Sequence, residues 1–328
     1  MWRIGDEVAL TRSPIRATRH TVWTGLVGGE GATMTEENLN TPASPVIVGI
    51  DGSERDATCI AWGAGAAMRT GRPMVLVHAL NLTAELVAPD LIGGSVPAMD
   101  GGTDTLLQAA LAGTRARFPD VQVTGTSPTG SSDRELIAAS EGAHLLVVGS
   151  RRVAGFERLI LGRSALAVAM HAHCPVVILP EGSRTDAEGP VVVGVDGSPA
   201  SQNALDRAFW IAHLRDTSVR IVTTWNVEVV DGMVVTTPGT DAWRSVENRY
   251  RSVVEKQLSL VPRDWSDIPH EVAVVRGSPA KVLTEESARS SLLVVGSRGR
   301  GGFRGMLLGS VTHKVLETAT CPVMVVRH

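Results

Sequence analysis

The stretch "SLLVVGSRGRGGFRGMLLGSVTHKVLETATCPVMVV", residues 291–326, contains two short apolar runs separated by a glycine- and arginine-rich loop and a segment of helical character. The loop, 296–310, carries three arginines and no acidic residue. It lacks the G-K-[S/T] ending of a P-loop, and Arg304 stands where a G-x-G-x-x-G pattern counted from Gly299 needs its third glycine. Backbone freedom and positive charge in one place favour a phosphate-bearing ligand.

Most of this stretch occurs twice in the chain. Three pairs of segments resemble each other: 44–57 and 189–202, 130–162 and 277–309, and 171–179 and 318–326. The offset is 145 residues near the start and 147 from residue 130 onward. A period of this length indicates a duplicated domain and not a solenoid of short repeats.

The repeat predicts four segments. Residues 1–44 form an N-terminal extension, 45–180 a first domain (lobe 1), 181–189 a polar linker with Gly and Pro, and 190–328 a second domain (lobe 2). Residues 1–33 show no sustained periodicity, so we expect disorder there. At the codon level, Gly-Gly-Glu-Gly shortly before Met34 is a purine-rich run that resembles a bacterial ribosome-binding site, which makes Met34 a candidate start.

Each copy alternates apolar runs with helical patterns. Runs such as "PVIVGI", "HLLVVG", "PVVVGV" and "PVMVV" are continuous and not alternating, which indicates strands buried on both faces of a parallel sheet. The predicted fold class is α/β: two tandem domains, each an open, Rossmann-like, five-stranded parallel sheet with helices on both faces. "CPVVIL" and "CPVMVV" are the predicted last strands of their sheets, each with an exposed edge.

One helix is predicted in detail. In "SPASQNALDRAFWIAHLR", Ser198 is the expected N-cap and Pro199 the first helical residue. The apolar face comprises Ala204, Leu205, Ala208, Phe209 and Ala212.

Open α/β sheets bind ligands beyond the carboxyl ends of their strands. Asp51 and Asp196 end the first strand of each copy, and Gly149 and Gly296 end the fourth. The loop ends at Ser310, where the next helix starts, and a helix N-terminus is an anion site.

Composition excludes several classes of protein. The 328 residues carry a net charge of -3 with a pI near 6.3, which argues against a dedicated nucleic-acid binder; an RGG-type RNA segment is also disfavoured because the loop lies between a strand and a helix. No apolar run approaches the roughly 18 residues of a membrane span. Three cysteines without paired spacing suit a reducing cytoplasm. We expect no metal site, since His171 and His173 beside Cys174 have only threonines as counterparts.

These residues resemble the universal stress protein family, in the tandem form of its ATP-binding branch. The signature of that branch, G-x2-G-x9-G-[S/T], is matched by Gly296, Gly299, Gly309 and Ser310. The resemblance covers both copies and implies ATP, with or without Mg²⁺, bound at the strand ends. It also implies that the two lobes pair the edges of their last strands. The implied site in lobe 2 comprises Gly194, Asp196, Ser198, Trp225, Gly296, Ser297, Arg298, Gly299, Arg300, Gly301, Gly302, Gly309, Ser310, Val311 and Thr312.

Each of these residues also has a structural interpretation. Asp196 could cap the following helix. Trp225, which the resemblance places near the adenine, could be core packing. Arg298 and Arg300 could belong to a solvated loop. Gly302 and Gly305 could be turn residues.

Lobe 1 departs from the signature. Its corresponding residues are Gly49, Asp51, Ala79, Gly149, Arg151, Gly155, Gly162, Arg163 and Ser164. Arg152 replaces the second glycine, where close backbone approach or a positive φ disfavours a side chain. Arg163 replaces the hydroxyl residue, and Glu157 adds negative charge. We expect nucleotide affinity at least ~10-fold poorer in lobe 1; the alternative is that arginine binds phosphate and both lobes fill equally.

ATP hydrolysis needs an activated water and a stabilised phosphoryl charge. The sequence shows no matching set of groups, so no catalytic residue is assigned and at most slow hydrolysis is expected. Three hypotheses stay open: a nucleotide-dependent regulator in stress response or growth control, a slow ATPase or adenylyl-transfer enzyme, and a nucleotide-free dimerisation scaffold. The expected partners are ATP, a second copy of the chain in a homodimer, and an unidentified protein.

Overall fold

The computed structural model describes residues 44–80, 104–152, 159–183, 188–226, 229–230, 233–234, 237–265, 267–301 and 307–327. The expected N-terminal disorder and the start at Met34 concern residues outside these ranges. So do Gly155, Glu157, Gly302, Arg304 and Gly305.

Lobe 1 follows the predicted alternation of strands and helices. Its elements are β1 (Val46–Gly49), α1 (Asp56–Thr70), β2 (Met74–Val77), α2 (Thr105–Arg117), β3 (Val123–Thr126), α3 (Ser132–Ala139), β4 (Leu145–Arg152), β5 (Leu159–Ile160), α4 (Arg163–His171) and β6 (Val176–Pro180).

Lobe 2 shows the same alternation of strands and helices in its described residues. Its elements are β7 (Val191–Gly194), α5 (Pro199–Arg215), β8 (Val219–Trp225), β9 (Val229–Val230), β10 (Met233–Val234), α6 (Asp241–Leu258), a 3₁₀ turn (Arg263–Trp265), β11 (His270–Arg276), α7 (Pro279–Ser287), β12 (Leu292–Gly296), α8 (Ser310–Thr318) and β13 (Val323–Val326).

The two lobes share one continuous sheet, in the order β11-β8-β7-β12-β13-β6-β4-β1-β2-β3. These strands are parallel within each lobe, while β13 and β6 pair antiparallel, with Met324 opposite Val177. The predicted pairing of the last strands is confirmed. Because the junction is antiparallel, the carboxyl ends of the strands lie on opposite edges of the sheet in the two lobes.

The sheet is buried on both faces, as its continuous apolar runs predict. Val46 and Val48 of β1 belong to the cluster on the face covered by α1, α2, α5 and α6. Ile47 belongs to the cluster on the other face, with side chains from α3, α4, α7 and α8. The α/β fold with helices on both faces is therefore confirmed.

Helix α5 forms as its sequence predicts. The hydroxyl of Ser198 accepts a hydrogen bond from the N–H of Ser201 at 3.2 Å, and Pro199 is the first helical residue. The predicted apolar face is buried at all five positions.

Two features were not predicted. Strand β4 continues three residues past Gly149, to Arg152, and pairs antiparallel with β5. Strands β9 and β10 pair with each other in a small separate sheet. None of the described helices combines the length and apolar character required to cross a membrane.

Candidate functional site

The loop that follows β12 in lobe 2 is closed by backbone hydrogen bonds. The N–H of Gly309 donates to the carbonyl of Ser297 at 2.7 Å, and the N–H of Ser297 donates to Val326 at 2.8 Å. The hydroxyl of Thr312 donates to the carbonyl of Gly296 at 2.7 Å. These bonds hold the first turn of α8 against the carboxyl ends of β12 and β13.

The N-terminus of α8 has no side-chain cap. Its N-cap residue is Gly309, so the N-cap position itself offers no side-chain acceptor to the first N–H groups, which have no acceptor within the helix. Ser310 is exposed and Val311 is half-buried. By contrast, Ser198 caps α5 in the same lobe. The start of α8 therefore offers backbone donors and a hydroxyl to an anion.

Asp196 joins the first strand to this loop. Its Oδ1 accepts from the N–H of Ser198 at 3.0 Å, and its Oδ2 accepts from the N–H of Arg300 at 2.8 Å. Asp196 is not the N-cap of α5, since Ser198 fills that position. The Asp196 carboxylate thus holds the loop in place through the backbone of Arg300, which lies 104 positions later in the sequence.

None of the signature glycines Gly296, Gly299 and Gly309 has a positive φ, and the first two serve close approach of neighbouring atoms. A Cβ on Gly299 would lie 2.5 Å from Oδ2 of Asp196, and one on Gly296 would lie 2.8 Å from the carbonyl oxygen of Ala200. A Cβ on Gly309 would meet nothing nearer than 3.5 Å. The described residues therefore leave room for a Cβ at Gly309.

Gln257, from α6, supports the turn after Asp196 and was missed at the sequence level. Its Oε1 accepts from the N–H of Gly197 at 3.1 Å, and its Nε2 donates to the carbonyl of Ser198 at 3.1 Å. Gly197 has φ +85°, which favours glycine. The sequence signal that could have identified it is a glutamine on the buried face of α6, three residues after Val254.

Positive charge collects at this edge. Arg298 and Arg300 are exposed, and a guanidinium N–H of Arg300 donates to the carbonyl of Asp196 at 3.4 Å. Burial, and secondarily the charge of Arg298, lowers the pKa of Arg327. Arg298 and Arg327 repel each other here, and a bound anion would relieve that repulsion.

Trp225 lies at the end of β8 with its ring buried, 2% exposed. It packs edge-to-face on Trp243 with ring centroids 4.7 Å apart, while the guanidinium of Arg276 lies 5.5 Å from its centroid. Its Nε1–H is buried without a hydrogen-bond partner in the described part of the chain. The ring is a core side chain in this conformation, and adenine contact at this position stays a prediction.

The remaining predicted residues of lobe 2 line the strand ends. Gly194 packs under Leu283, whose Cδ1 would lie 3.0 Å from a Cβ there. Ser297 is buried, and Gly301 has no neighbour within 4 Å of a Cβ position.

The sequence profile of the universal stress protein family matches residues 43–180 and again residues 189–327. The chain belongs to the universal stress protein family. A universal stress protein of Mycolicibacterium smegmatis (strain ATCC 700084 / mc(2)155) is 31% identical over 299 residues, covering 86% of this chain and 96% of that protein. One of Mycobacterium tuberculosis (strain ATCC 25618 / H37Rv) is 33% identical over 295 residues, with the same coverage.

Two solved structures share the fold across both lobes. A universal stress protein of Archaeoglobus fulgidus DSM 4304 matches with a TM-score of 0.56 and 19% identity, covering 87% of this chain and 97% of that one. A protein of Pseudomonas aeruginosa PAO1 whose function is unknown matches with a TM-score of 0.63 and 15% identity, covering 87% and 92%.

In lobe 1 of this universal stress protein, the turn after β1 is occupied by its own side chains. The carboxylate of Asp56 accepts from the N–H groups of Asp51 at 3.2 Å and Gly52 at 2.8 Å. Burial raises the pKa of Asp56. Arg55 forms an ion pair with Oδ2 of Asp51 at 3.1 Å. Lobe 2 has Ala200 in place of Arg55 and Ser201 in place of Asp56, so the carboxylate of its Asp196 can bond to the loop instead.

The loop of lobe 1 also differs. Arg152, the counterpart of Gly299, lies in the extended strand β4. Arg163 is the exposed first residue of α4, where lobe 2 has Ser310, and Gly162 is its N-cap. The pKa of Asp133 is lowered, chiefly by a hydrogen bond from Ser131 and also by the charge of Arg163. Arg163 therefore already has a carboxylate nearby.

Other predicted residues of lobe 1 lie at the strand ends. Gly49 packs under Leu136, Gly149 lies against Cys59 and Arg55, and Ser164 is half-buried in the first turn of α4. Backbone pairing sets Leu80, one residue beyond Ala79, as the counterpart of Trp225: Gly130 donates to Leu80 as Gly277 donates to Trp225. The side chain of Arg151 lies outside the described part.

No group of three potential metal ligands occurs among the described residues. Cys59, Cys174 and Cys321 are free and buried.

Proposed function

We propose that this protein is a nucleotide-dependent regulator that binds ATP in lobe 2, within the stress-related role of its family. The observation that carries the proposal is the uncapped N-terminus of α8, held beside Gly299 and the carboxyl end of β12. Its free N–H groups and the Ser310 hydroxyl suit phosphate oxygens. Arg298 and Arg300 add charge-assisted donors.

The residues present fit a triphosphate. A Cβ at Gly309 would meet only ordinary contacts with the part of the chain that the structure describes, which supports room for a phosphate over the helix start. Asp196 supplies one carboxylate at this edge, and both its oxygens already accept N–H bonds. Any Mg²⁺ would therefore be held chiefly by phosphate oxygens and water, as is usual for this ion.

Regulation is favoured over turnover by the chemistry of the groups that surround the loop. Hydrolysis requires a base or a positioned water together with charge stabilisation. The carboxylate of Asp196 is engaged in structural bonds, and the Thr312 hydroxyl donates to Gly296. Bound ATP would supply charge that orders the loop, and occupancy would then set the surface seen by a partner protein.

The experiment begins with protein purified from cells, denatured, and analysed for released nucleotide by chromatography and mass spectrometry. Calorimetry then compares wild type with Gly309→Val, which places a side chain over the start of α8; its Cβ would lie 3.5 Å or more from the described atoms around it. We expect at least a 10-fold loss of ATP affinity. The matched change Gly162→Val, at the N-cap of α4 in lobe 1, should leave the tight site unchanged. Equal binding by wild type and Gly309→Val would refute the proposal.

Assembly and location are part of the same proposal. Strands β3 and β11 end the described sheet, and the β6–β13 edge is used within the chain, so a homodimer would use another surface. Three free, buried cysteines support a reducing, cytoplasmic setting. Sedimentation velocity measures the oligomeric state, and a monomer at every concentration would exclude the homodimer.

A further inference from the structure

A small cavity lies between the two lobes, away from the loops at the carboxyl ends of the strands. Its volume is about 30 Å³, which is room for roughly two waters. Helix α1 of lobe 1 and helix α5 of lobe 2 form opposite walls. The lining residues are Trp62, Ala66, Arg69, Thr70, His144, Leu145, Trp210, Ile211, Leu214, Arg215 and Met324.

The lining carries positive charge from both lobes and, in the described part of the chain, no carboxylate. Arg69 comes from α1 and Arg215 from α5. The guanidinium of Arg215 lies 5.4 Å from the ring centroid of Trp62. Burial, and then the charge of Arg69, lowers the pKa of Arg215 to about 10. The two arginines therefore repel each other; each lies in the last turn of its helix, where the carbonyl dipoles offset part of the charge, and the Trp62 face offsets part of that of Arg215.

A second pair of arginines lies close to the cavity. Burial, followed by the charges of Arg207 and Arg72, lowers the pKa of His144 to about 3, so the imidazole is neutral at pH 7. Arg207 lies over Trp210, 5.0 Å from its centroid, and Arg72 donates to the carbonyl of Ser44 at 3.1 Å. None of these arginines forms an ion pair with a described carboxylate. Two cations that line the cavity, Arg69 and Arg215, and two more beside its His144 and Trp210 wall make it attractive to an anion.

The volume of the cavity and the arrangement of its N–H donors limit which class of ligand could bind there. Guanidinium groups bind oxyanions through paired N–H donors. A cavity of this volume is too small for a nucleotide, whose pockets are roughly 300 Å³ or more. We propose that it binds a compact inorganic oxyanion of phosphate size between Arg69 and Arg215. Because these arginines belong to different lobes, the anion would fasten α1 to α5 and stabilise the lobe junction.

The test is thermal unfolding with increasing inorganic phosphate, at ionic strength held constant with NaCl. Wild type is compared with Arg215→Gln and Arg69→Gln, the second at an exposed residue whose replacement threatens folding least. The control is Arg244→Gln, an exposed arginine of α6 that is paired with Asp241. We expect phosphate to raise the Tm of wild type and of the control by about 2 °C or more, in line with ligand linkage, and to have little effect on the two cavity variants.

For each variant, the change of Tm with phosphate concentration is compared, and not the Tm itself. This comparison excludes any change in stability that comes from losing a repelling arginine. Gly309→Val is measured alongside to separate the nucleotide site. If phosphate stabilises both cavity variants as much as wild type, or if NaCl alone gives the full effect, the inference is wrong. If the effect is lost in Gly309→Val but kept in the cavity variants, phosphate binds at α8, and only the cavity site is excluded.

Discussion

Gly299 and Asp196 lie in contact that leaves no room for a side chain: a Cβ on Gly299 would stand 2.5 Å from Oδ2 of Asp196. The next N–H, of Arg300, donates to the same oxygen at 2.8 Å. The second glycine of the family signature is therefore required by the carboxylate after the first strand. This contact sets the position of the loop relative to the sheet.

Gly299→Ala should weaken ATP binding by about 5- to 10-fold, which corresponds to roughly 1–1.4 kcal/mol. The added methyl group forces the Asp196 carboxylate to rotate and breaks its bond to Arg300. Isothermal titration calorimetry measures the effect. Gly113→Ala, in α2 with nothing within 4 Å of a Cβ, is the control. Unchanged affinity in Gly299→Ala would show that the contact does not position the ligand.

The two lobes should bind ATP with different affinities, giving one tight site per chain. Lobe 1 has Arg152 in an extended strand, Arg163 in place of the hydroxyl, and Asp51 paired with Arg55. We expect its affinity to be at least ~10-fold lower. Equilibrium dialysis over a range of ATP concentrations gives the stoichiometry.

The double variant Arg152→Gly/Arg163→Ser restores the signature at both positions and should raise the affinity of the second site. The ion pair between Arg55 and Asp51 limits that gain, so adding Arg55→Ala should increase it further. Two equal, tight sites in wild type, unchanged by these substitutions, would contradict the predicted asymmetry.

Gln257→Leu should lower the free energy of unfolding by about 1–3 kcal/mol, because it removes the acceptor of the Gly197 N–H and one donor to the Ser198 carbonyl, which keeps the Ser201 hydroxyl and the Gln202 N–H. ATP affinity should fall as well, since the turn that carries Asp196 loses its support. Urea unfolding followed by circular dichroism measures the first effect. An exposed neighbour, Lys256→Leu, is the control, and equal stability of both variants would reject the role given to Gln257.

His144 should make the protein sensitive to acid. Its pKa is about 3 in the folded state and 6.5 unfolded, so the unfolded chain binds the extra proton between these values. Stability is therefore lost as pH falls from 6.5 towards 3, by ~1.4 kcal/mol per pH unit. His144→Phe should remove this slope. Unfolding is measured from pH 4 to 6.5 in phosphate-free buffer, with exposed His213→Phe as control, and an unchanged slope would contradict the assignment.

The sequence predicted those parts of the fold that depend on local pattern. The apolar runs located the strands, and Ser198 and Pro199 located the start of α5, because caps and buried faces are properties of neighbouring residues. The resemblance to the family, together with the duplication, predicted the pairing of β6 with β13, since both copies leave the equivalent edge open.

Long-range contacts were not predictable in the same way. The contact between Gly299 and Asp196 joins positions far apart in the sequence. The sequence alone therefore could not decide whether a positive φ or a close approach of neighbouring atoms requires glycine at this position. Strand β4 runs on to Arg152 because β5 offers a partner, and that pairing has no local signal. Gln257 acts on a turn 60 residues away.

The antiparallel junction of β6 and β13 lies within one polypeptide. Two identical chains joined by the same edges would dissociate on dilution. Because both would be copies of one gene product, any mutation would appear in both halves of the dimer. Here the local concentration of each edge is fixed by covalent linkage, and the halves are encoded separately. One half can accumulate arginines while the other keeps its glycines, so a former symmetric pair can evolve into two parts with different tasks.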